Sequence, residues 1–267
     1  MIRVIVPDSH GSSIDRAAAG AFLRDLKLLA PRELVFLGDH VDVSGIYSTH
    51  QPNYIDEMEY SYEKDCADAN WFLDEIQKAA PAATGYYLEG NHEQHVERWL
   101  ARTFRNLADA RASRGLCSPF AKLRLGDRGI RYYRSSQRYM GIAVPGTIKL
   151  GKCLFTHGSR VGKHATSAHL DDFGGNVVHG HTHRSQAVVR RTVAAGEIGA
   201  WCPGTLAELQ PLYLHTGLSG WTHGYGLQMV ERDGTFLHIN VPIARGKSLL
   251  RPLLDTLKPQ RYGKKAA

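Results

Sequence analysis

Short apolar runs alternate with longer amphipathic stretches in the first half of the chain. Three runs have the length and composition of buried strands: residues 2–6, 34–37 and 86–88. Three amphipathic stretches predict helices: about 14–30, 55–80 and 93–112. Ser12 or Ser13 is the expected cap of the first helix, and Pro31 ends it. Strands that alternate with helices in this way predict an α/β fold.

The second half of the chain is richer in predicted β structure. Apolar runs predict strands at 142–144, 147–150, 153–156, 177–178, 187–195 and 226–241. Gly151-Lys152 and Asp233-Gly234 have the composition of hairpin turns. A short helix is expected at 165–173, whereas residues 113–138 fit no single element. Hairpins beside strand–helix units predict mixed sheets.

The chain has 267 residues and contains neither an internal repeat nor a linker. We expect one domain over 1–243, with 113–138 as a mobile or inserted element, and a basic tail over 244–267. No apolar run reaches the roughly 20 residues of a membrane span. The first residues are typical of a strand and not of a signal peptide, which predicts a cytoplasmic protein with no membrane partner. The four widely spaced cysteines are expected to be reduced thiols.

Positive charge is concentrated in two segments of a chain whose net charge is +7. Residues 93–138 contain eleven Lys/Arg and four Asp/Glu, and the tail after Pro242 contains seven and one. The remainder is therefore net acidic. Such asymmetry favours an anionic partner, with nucleic acid or nucleotide first, although solvated surface arginines are the alternative.

Five groups of polar residues occur in order along the chain, most of them after a predicted strand: Asp8-Ser9-His10, Gly38-Asp39-His40-Val41-Asp42, Gly90-Asn91-His92-Glu93, His157-Gly158 and Gly180-His181-Thr182-His183. The carboxyl ends of strands in α/β sheets meet at one edge, where binding sites form. Seven of the residues are of metal-ligand type: Asp8, His10, Asp39, Asn91, His157, His181 and His183. A structural zinc takes four ligands, so seven predict two ions that share a carboxylate.

The mixed oxygen and imidazole donors favour two divalent ions, with Mn²⁺ first and Fe, Zn²⁺ or Mg²⁺ as alternatives. Two such ions can hold a bridging hydroxide and stabilise both oxygens of an in-line displacement at phosphorus. The motif chemistry therefore predicts hydrolysis of a phosphate ester.

This series of motifs resembles that of the calcineurin-like metallophosphoesterases, over residues 8–183. The resemblance implies a four-layer α/β/β/α sandwich of two mixed sheets, with the metals at the sheet edge. It implies one ion held by Asp8, His10 and His183, a second held by Asn91, His157 and His181, and Asp39 as the shared ligand. It also implies that His92 protonates the leaving oxygen or steadies the phosphoryl group, and that Asp42 orients His92.

The residues after Asp42 bear on the substrate. The Ser/Thr protein phosphatases of this superfamily have Arg-Gly there, and that arginine clamps the phosphate, whereas this chain has Val43-Ser44. A protein phosphatase is disfavoured accordingly. Arg160 and His40 are weaker candidates for substrate contacts, and a surface arginine and a supporting histidine are the alternatives. Aromatic residues at 46–62 and 212–225 are expected either to wall a cleft or to pack internally.

The leading hypothesis is a dinuclear metal-dependent phosphoesterase that uses a metal-bridged hydroxide. It would act as a phosphodiesterase, nuclease or phosphatase on nucleic acid or nucleotides. The alternative is a phosphomonoesterase that acts on a phosphoprotein or small metabolite. A non-catalytic scaffold of the same fold is disfavoured, because all seven ligands and His92 are present. The oligomeric state and endo- or exonuclease action stay open.

Overall fold

The computed structural model describes residues 1–44, 59–211, 214 and 217–256. One sheet contains β1 (Ile2–Val6), β2 (Glu33–Phe36), β3 (Thr84–Leu88), β4 (Arg131–Tyr133), β10 (Gly224–Val230), β11 (Phe236–Ala244) and β12 (Lys247–Ser248). A second contains β5 (Ile148–Leu150), β6 (Cys153–Thr156), β7 (Val177–His179), β8 (Ser185–Thr192) and β9 (Gly196–Pro203). The helices are α1 (Arg16–Leu29), α2 (Tyr62–Ala79), α3 (Asn91–Thr103), α4 (Leu107–Cys117), α5 (Pro119–Lys122), α6 (Ala165–Phe173) and α7 (Arg251–Thr256).

Both sheets are mixed, and their parallel strands determine where the predicted motifs lie. The strand order is β12-β11-β10-β1-β2-β3-β4 in the first sheet and β5-β6-β7-β9-β8 in the second. β1, β2, β3 and β4 are parallel to one another, as are β6, β7 and β9. The residues that follow β1, β2 and β3 are therefore neighbours at one sheet edge, and so are those that follow β6 and β7.

Side chains of the central strands alternate between two cores. Val4 and Val6 of β1 face the core formed with α1 and α2. Ile5, between them, packs with Phe155 of β6 in the core that separates the two sheets. On the outer face of the second sheet, Leu170 of α6 covers β7 and β9. These layers confirm the predicted α/β/β/α sandwich of two mixed sheets.

The start of α1 differs from the prediction. Its cap is Asp15, whose carboxylate accepts hydrogen bonds from the backbone N–H groups of Ala17 and Ala18. Ser12 and Ser13 lie instead in a 3₁₀ turn that begins at Gly11. Ser and Asp are comparable cap residues, so the local sequence does not choose between them.

The predicted helix at 93–112 is two helices, because the chain is extended at Phe104 and Asn106 starts α4 with a side-chain cap. Helix α2 begins at Tyr62, later than predicted, and the earlier residues 45–58 lie outside the described part. No strand forms at 142–144. Gly141 and Gly146 turn the backbone there with positive φ angles, which interrupts the strand geometry.

Residues 113–138, expected to be an inserted element, and the predicted tail after residue 243 both contribute strands to the first sheet. Residues 113–138 supply the end of α4, α5 and β4, and β4 pairs with β3. The expected boundary after residue 243 falls inside β11, and β12 of the predicted tail pairs with β11. Residues 257–267 lie outside the described part of the chain.

The structure also bears on membrane-spanning helices and on disulfide bonds. Among the described residues, no helix combines the length and apolar character that crossing a membrane requires. All four cysteines are free thiols.

Candidate metal centre

The first group of ligand atoms combines Asp8, His10 and His183. All three are buried, with 0%, 2% and 4% of their surface exposed. His10 Nε2 lies 3.1 Å from His183 Nε2, which in turn lies 3.1 Å from Asp8 Oδ2. Asp8 follows β1 and His183 follows β7, so this group joins the edges of the two sheets.

The second group surrounds His157. Its Nε2 lies 2.9 Å from Asn91 Oδ1, 3.2 Å from His181 Nδ1 and 3.2 Å from Asp39 Oδ2. Asn91 follows β3, His157 follows β6 and His181 follows β7. The second group therefore also draws on both sheets.

Asp39 lies between the two groups. Its carboxylate comes within ligand distance of His10 and His92 on one side, and of His157 and His181 on the other. Asp39 follows β2, which is the central parallel strand between β1 and β3. This is the position expected of a ligand that two ions share.

The donor chemistry of both groups fits cations. His10 Nδ1 lies 3.0 Å from Asp42 Oδ1, and His157 Nδ1 lies 2.8 Å from the carbonyl oxygen of Leu37. Because each Nδ1 donates to an oxygen, a neutral ring directs the lone pair of Nε2 toward other acceptors. Ligand atoms that share an ion at about 2.1 Å lie roughly 3.0–3.4 Å apart, as these do. A buried oxygen, Asp8 Oδ1, also lacks a hydrogen-bond partner among the described residues.

The electrostatics favour positive charge at the same place. Burial lowers the pKa of His10, but its hydrogen bond to Asp42 and the charge of that carboxylate raise it to about 9. Burial also disfavours a charged His157, yet the carboxylate of Asp39 raises its pKa to about 10. The pKa of Asp39 would rise on burial, and His157 holds it well below its usual range. In the absence of ions the site therefore binds protons, which metal ions would displace.

His92 lies beside the ligands with one ring nitrogen fixed. Its backbone N–H donates to Asp39 Oδ1 over 2.8 Å, and its Nδ1 contacts the backbone carbonyl oxygen of Asp42. Nε2 lies 3.9 Å from Asp39 Oδ2, and 23% of the side chain is exposed. The ring thus presents Nε2 to the ligand groups and to solvent, as a proton donor to a substrate requires.

The carboxylate of Asp42 contacts a different histidine from the one predicted. Its Oδ1 lies 3.0 Å from His10 Nδ1 and 3.9 Å from His92 Nδ1. The backbone carbonyl of Asp42 therefore contacts His92, while its carboxylate contacts His10. The family resemblance implied that Asp42 orients His92 but did not distinguish the two polar groups of Asp42.

The two weaker substrate candidates have other contacts. His40 is 1% exposed, its Nδ1 lies 2.8 Å from Ser9 Oγ, and burial lowers its pKa to about 3. A neutral ring buried in this way supports the turn after β2, and its position does not support a substrate contact. Arg160 is exposed and donates two hydrogen bonds to Asp172, at 2.7 and 2.9 Å. Its contact with a phosphate stays a prediction.

Glu93 was part of a motif but had no predicted role, and it holds two ligand turns together. Its carboxylate accepts hydrogen bonds from the backbone N–H groups of Asp39, His40 and Gly90, at 2.9, 2.8 and 2.8 Å. The hydroxyl of Tyr87 donates a fourth, at 2.7 Å. A glutamate three residues after a helix cap is a local signal that could have indicated the contact with Gly90.

Asp65 supports the turn after β2 from a distant part of the chain. Although it lies within α2, its carboxylate accepts from the backbone N–H groups of Ser12, Asp42 and Val43. No local signal indicates this role, because the partners are at least 22 residues away.

One aromatic residue of the 212–225 segment contacts the site. The half-buried ring of Trp221 meets His183 edge to face, with 4.1 Å between ring centroids. This segment therefore walls the first ligand group at that point. The aromatic residues at 46–58 lie outside the described residues.

No known protein family matches the chain, and neither does any curated protein. Among solved structures, Yfce, a phosphoesterase from E. coli, is similar with a TM-score of 0.40 and 15% identity, over 90% of this chain and 99% of that chain. Vacuolar Protein Sorting 29 from Cryptosporidium parvum has a TM-score of 0.43 and 11% identity, over 92% of this chain and 93% of that chain. A conserved uncharacterized protein from Streptococcus pneumoniae, described as a predicted phosphoesterase, has a TM-score of 0.33 and 12% identity, over 92% of this chain and 94% of that chain.

In its layered fold, and in the motif residues that meet at the sheet edges, the chain resembles the calcineurin-like metallophosphoesterases.

Proposed function

We propose that the chain is a dinuclear metal-dependent phosphoesterase. One observation carries the proposal: carboxylate, amide and imidazole atoms converge in two groups that share Asp39. Most of these atoms are hydrogen-bond acceptors when the imidazoles are neutral, so they cannot all satisfy one another by hydrogen bonds. A cation in each group would satisfy these atoms together. Mn²⁺ is the first candidate, with Fe, Zn²⁺ and Mg²⁺ as alternatives.

The ligands divide between the two ions as follows: Asp8, His10 and His183 for one, Asn91, His157 and His181 for the other, with Asp39 shared. Bound ions would activate water and neutralise charge on the phosphoryl group. His92, held at Nδ1, donates a proton from Nε2 to the leaving oxygen. The positive end of α3, which begins at Asn91, also favours an anion at this point.

The proposed substrate is a phosphodiester or terminal phosphate of a nucleic acid or nucleotide. The excess of Lys and Arg in residues 93–138 supports this choice. Val43 in place of the phosphate-clamping arginine argues against a protein phosphatase.

A screen of metals against substrates tests the proposal. Wild-type chain loaded with each ion is assayed on p-nitrophenyl phosphate, its bis(p-nitrophenyl) diester and DNA and RNA oligonucleotides. We expect His92→Ala to lower kcat by about 10²–10⁴-fold, the usual contribution of general acid catalysis, with the metal content retained. His164→Ala, at an exposed histidine outside both ligand groups, is the matched control. Loaded chain that hydrolyses none of these esters, or an undiminished His92→Ala variant, contradicts the proposal.

A further inference from the structure

One face of α3 begins at a proposed metal ligand and is exposed in its second half, where it carries arginines. Asn91 is the first residue of α3, and Arg98 and Arg102 follow on the same face, since a helix advances about 100° per residue. Both arginines are exposed. At about 1.5 Å per residue they lie roughly 10 and 16 Å from Asn91 along the helix axis. We call this row of Arg98 and Arg102 the α3 stripe.

The α3 stripe keeps its positive charge because nearby acids are engaged elsewhere. Glu93 is buried beneath the ligand turns, and Glu97 pairs with Arg114 and Arg134. Asp109 accepts a hydrogen bond from Asn106 at 2.6 Å. Arg98 donates to the neutral Gln94, at 2.8 Å. In the part of the chain that the structure describes, no carboxylate pairs with a member of the stripe.

We propose that the α3 stripe binds the phosphate backbone of a nucleic-acid strand whose reacting phosphate lies at the metal centre. This inference rests on the proposed function and specifies its substrate as a polymer. A nucleic-acid strand carries one phosphate per nucleotide along its whole length, so Arg98 and Arg102 would meet phosphates a few nucleotides from the reacting one. A mononucleotide or small metabolite is too short to reach them.

The composition of the stripe favours nucleic acid over an anionic membrane. Helices that lie on membranes insert a broad face of large apolar side chains. The exposed residues of α3 are Arg98, Ala101, Arg102 and Thr103. Arginine on a rigid helix suits phosphate oxygens, because its guanidinium can donate two hydrogen bonds at once.

The test compares two double charge reversals with the same change in net charge. Arg98→Glu/Arg102→Glu alters the stripe. Arg191→Glu/Arg232→Glu is the control: Arg191 lies near the end of β8 and Arg232 in the turn after β10, both exposed and at the sheet ends opposite the metal centre. All chains also carry His92→Ala and are loaded with Mn²⁺, so that binding of a labelled 20-nucleotide single strand is measured by fluorescence anisotropy without turnover.

We expect the stripe variant to bind at least tenfold more weakly than its parent, and the control to change less than threefold. The slope of log affinity against log salt should fall by about 1.4 in the stripe variant, since each phosphate contact on a single strand contributes about 0.7. Thermal melting checks that each chain is folded.

Three results would overturn the inference: a parent chain that does not bind the oligonucleotide, equal losses in both double variants, or a stripe that instead controls binding to phosphatidylserine–phosphatidylcholine vesicles. Hydrolysis of p-nitrophenyl esters by the wild type reports on the proposed function separately. The two proposals can therefore fail independently.

Discussion

Two imidazoles of the proposed metal site each have the second ring nitrogen fixed by an oxygen. Asp42 holds His10, and the carbonyl of Leu37 holds His157. Such contacts set both the tautomer and the direction of the coordinating lone pair. At the scale of single residues, the geometry of the proposed metal site thus depends on groups that are not proposed ligands themselves.

Replacing Asp42 with Asn tests this dependence. The amide can still accept from His10 Nδ1 but carries no charge, so we expect metal affinity to fall about 10–100-fold, as is usual for such outer contacts. Isothermal titration with Mn²⁺ measures the change. Asp171→Asn, at an exposed carboxylate paired with Arg190, is the control. Unchanged affinity in Asp42→Asn would exclude a supporting role for this carboxylate.

At the scale of secondary-structure elements, the turn after β2 packs directly against the turn after β3. A Cβ on Gly90 would lie 2.1 Å from Asp39 Oδ1 and 2.5 Å from the Asp39 nitrogen, so only glycine leaves room for Asp39 in its observed position. Glu93 joins the same two turns through backbone N–H groups. The β2 and β3 turns therefore form one unit that positions Asp39 and Asn91 together.

Gly90→Ala should displace Asp39, and we expect both loss of bound metal and loss of esterase activity. Gly115→Ala is the matched control, because its Cβ meets nothing within 4 Å in the last turn of α4. That control should gain about 0.5–1 kcal/mol of stability from helix propensity. Metal content, measured by mass spectrometry, and the melting temperature distinguish the Gly90→Ala variant from the Gly115→Ala control. A Gly90→Ala chain with two bound ions would refute the steric argument.

At the scale of the whole molecule, each of the two candidate ligand groups combines residues from both sheets. The metal-free site brings Asp8, Asp39 and Asp42 together, and protons on His10 and His157 offset their charge. Folding of the metal-free chain is therefore linked to pH through these histidines.

We expect the metal-free chain to lose stability as the pH rises from 6.5 to 8.5. The pKa of His10 is about 9 and that of His157 about 10 in the folded chain, against 6.5 for the ordinary side chain. Raised values stabilise the folded state fully below pH 6.5, and the contribution declines as the pH rises toward the folded pKa, by on the order of 3 kcal/mol per group at most between pH 6.5 and 8.5. Urea unfolding in chelator measures it, and Asp42→Asn should flatten the slope. Stability that rises over this interval would contradict the prediction.

Much of the fold could be predicted from the sequence, and so could the convergence of the motif residues at the sheet edges. Strand alternation and helical periodicity are local, so β1, β6 and α6 were predicted at their observed bounds. Elements whose ends depend on a choice between similar residues were less predictable, as the cap of α1 at Asp15 illustrates. The false strand at 142–144 arose because apolar composition alone does not reveal the turns at its flanking glycines.

The sequence alone indicated which residues are of metal-ligand type and which strand ends present them, because residue type and strand periodicity are local properties of a chain. Only the tertiary structure decided which atoms meet: His183 with Asp8, 175 residues apart, and the carboxylate of Asp42 with His10. It also decided that Glu93 and Asp65 hold the ligand turns and that His40 is buried. These outcomes depend on packing between distant segments, where burial and competing hydrogen-bond partners select one contact among several that the motifs allow.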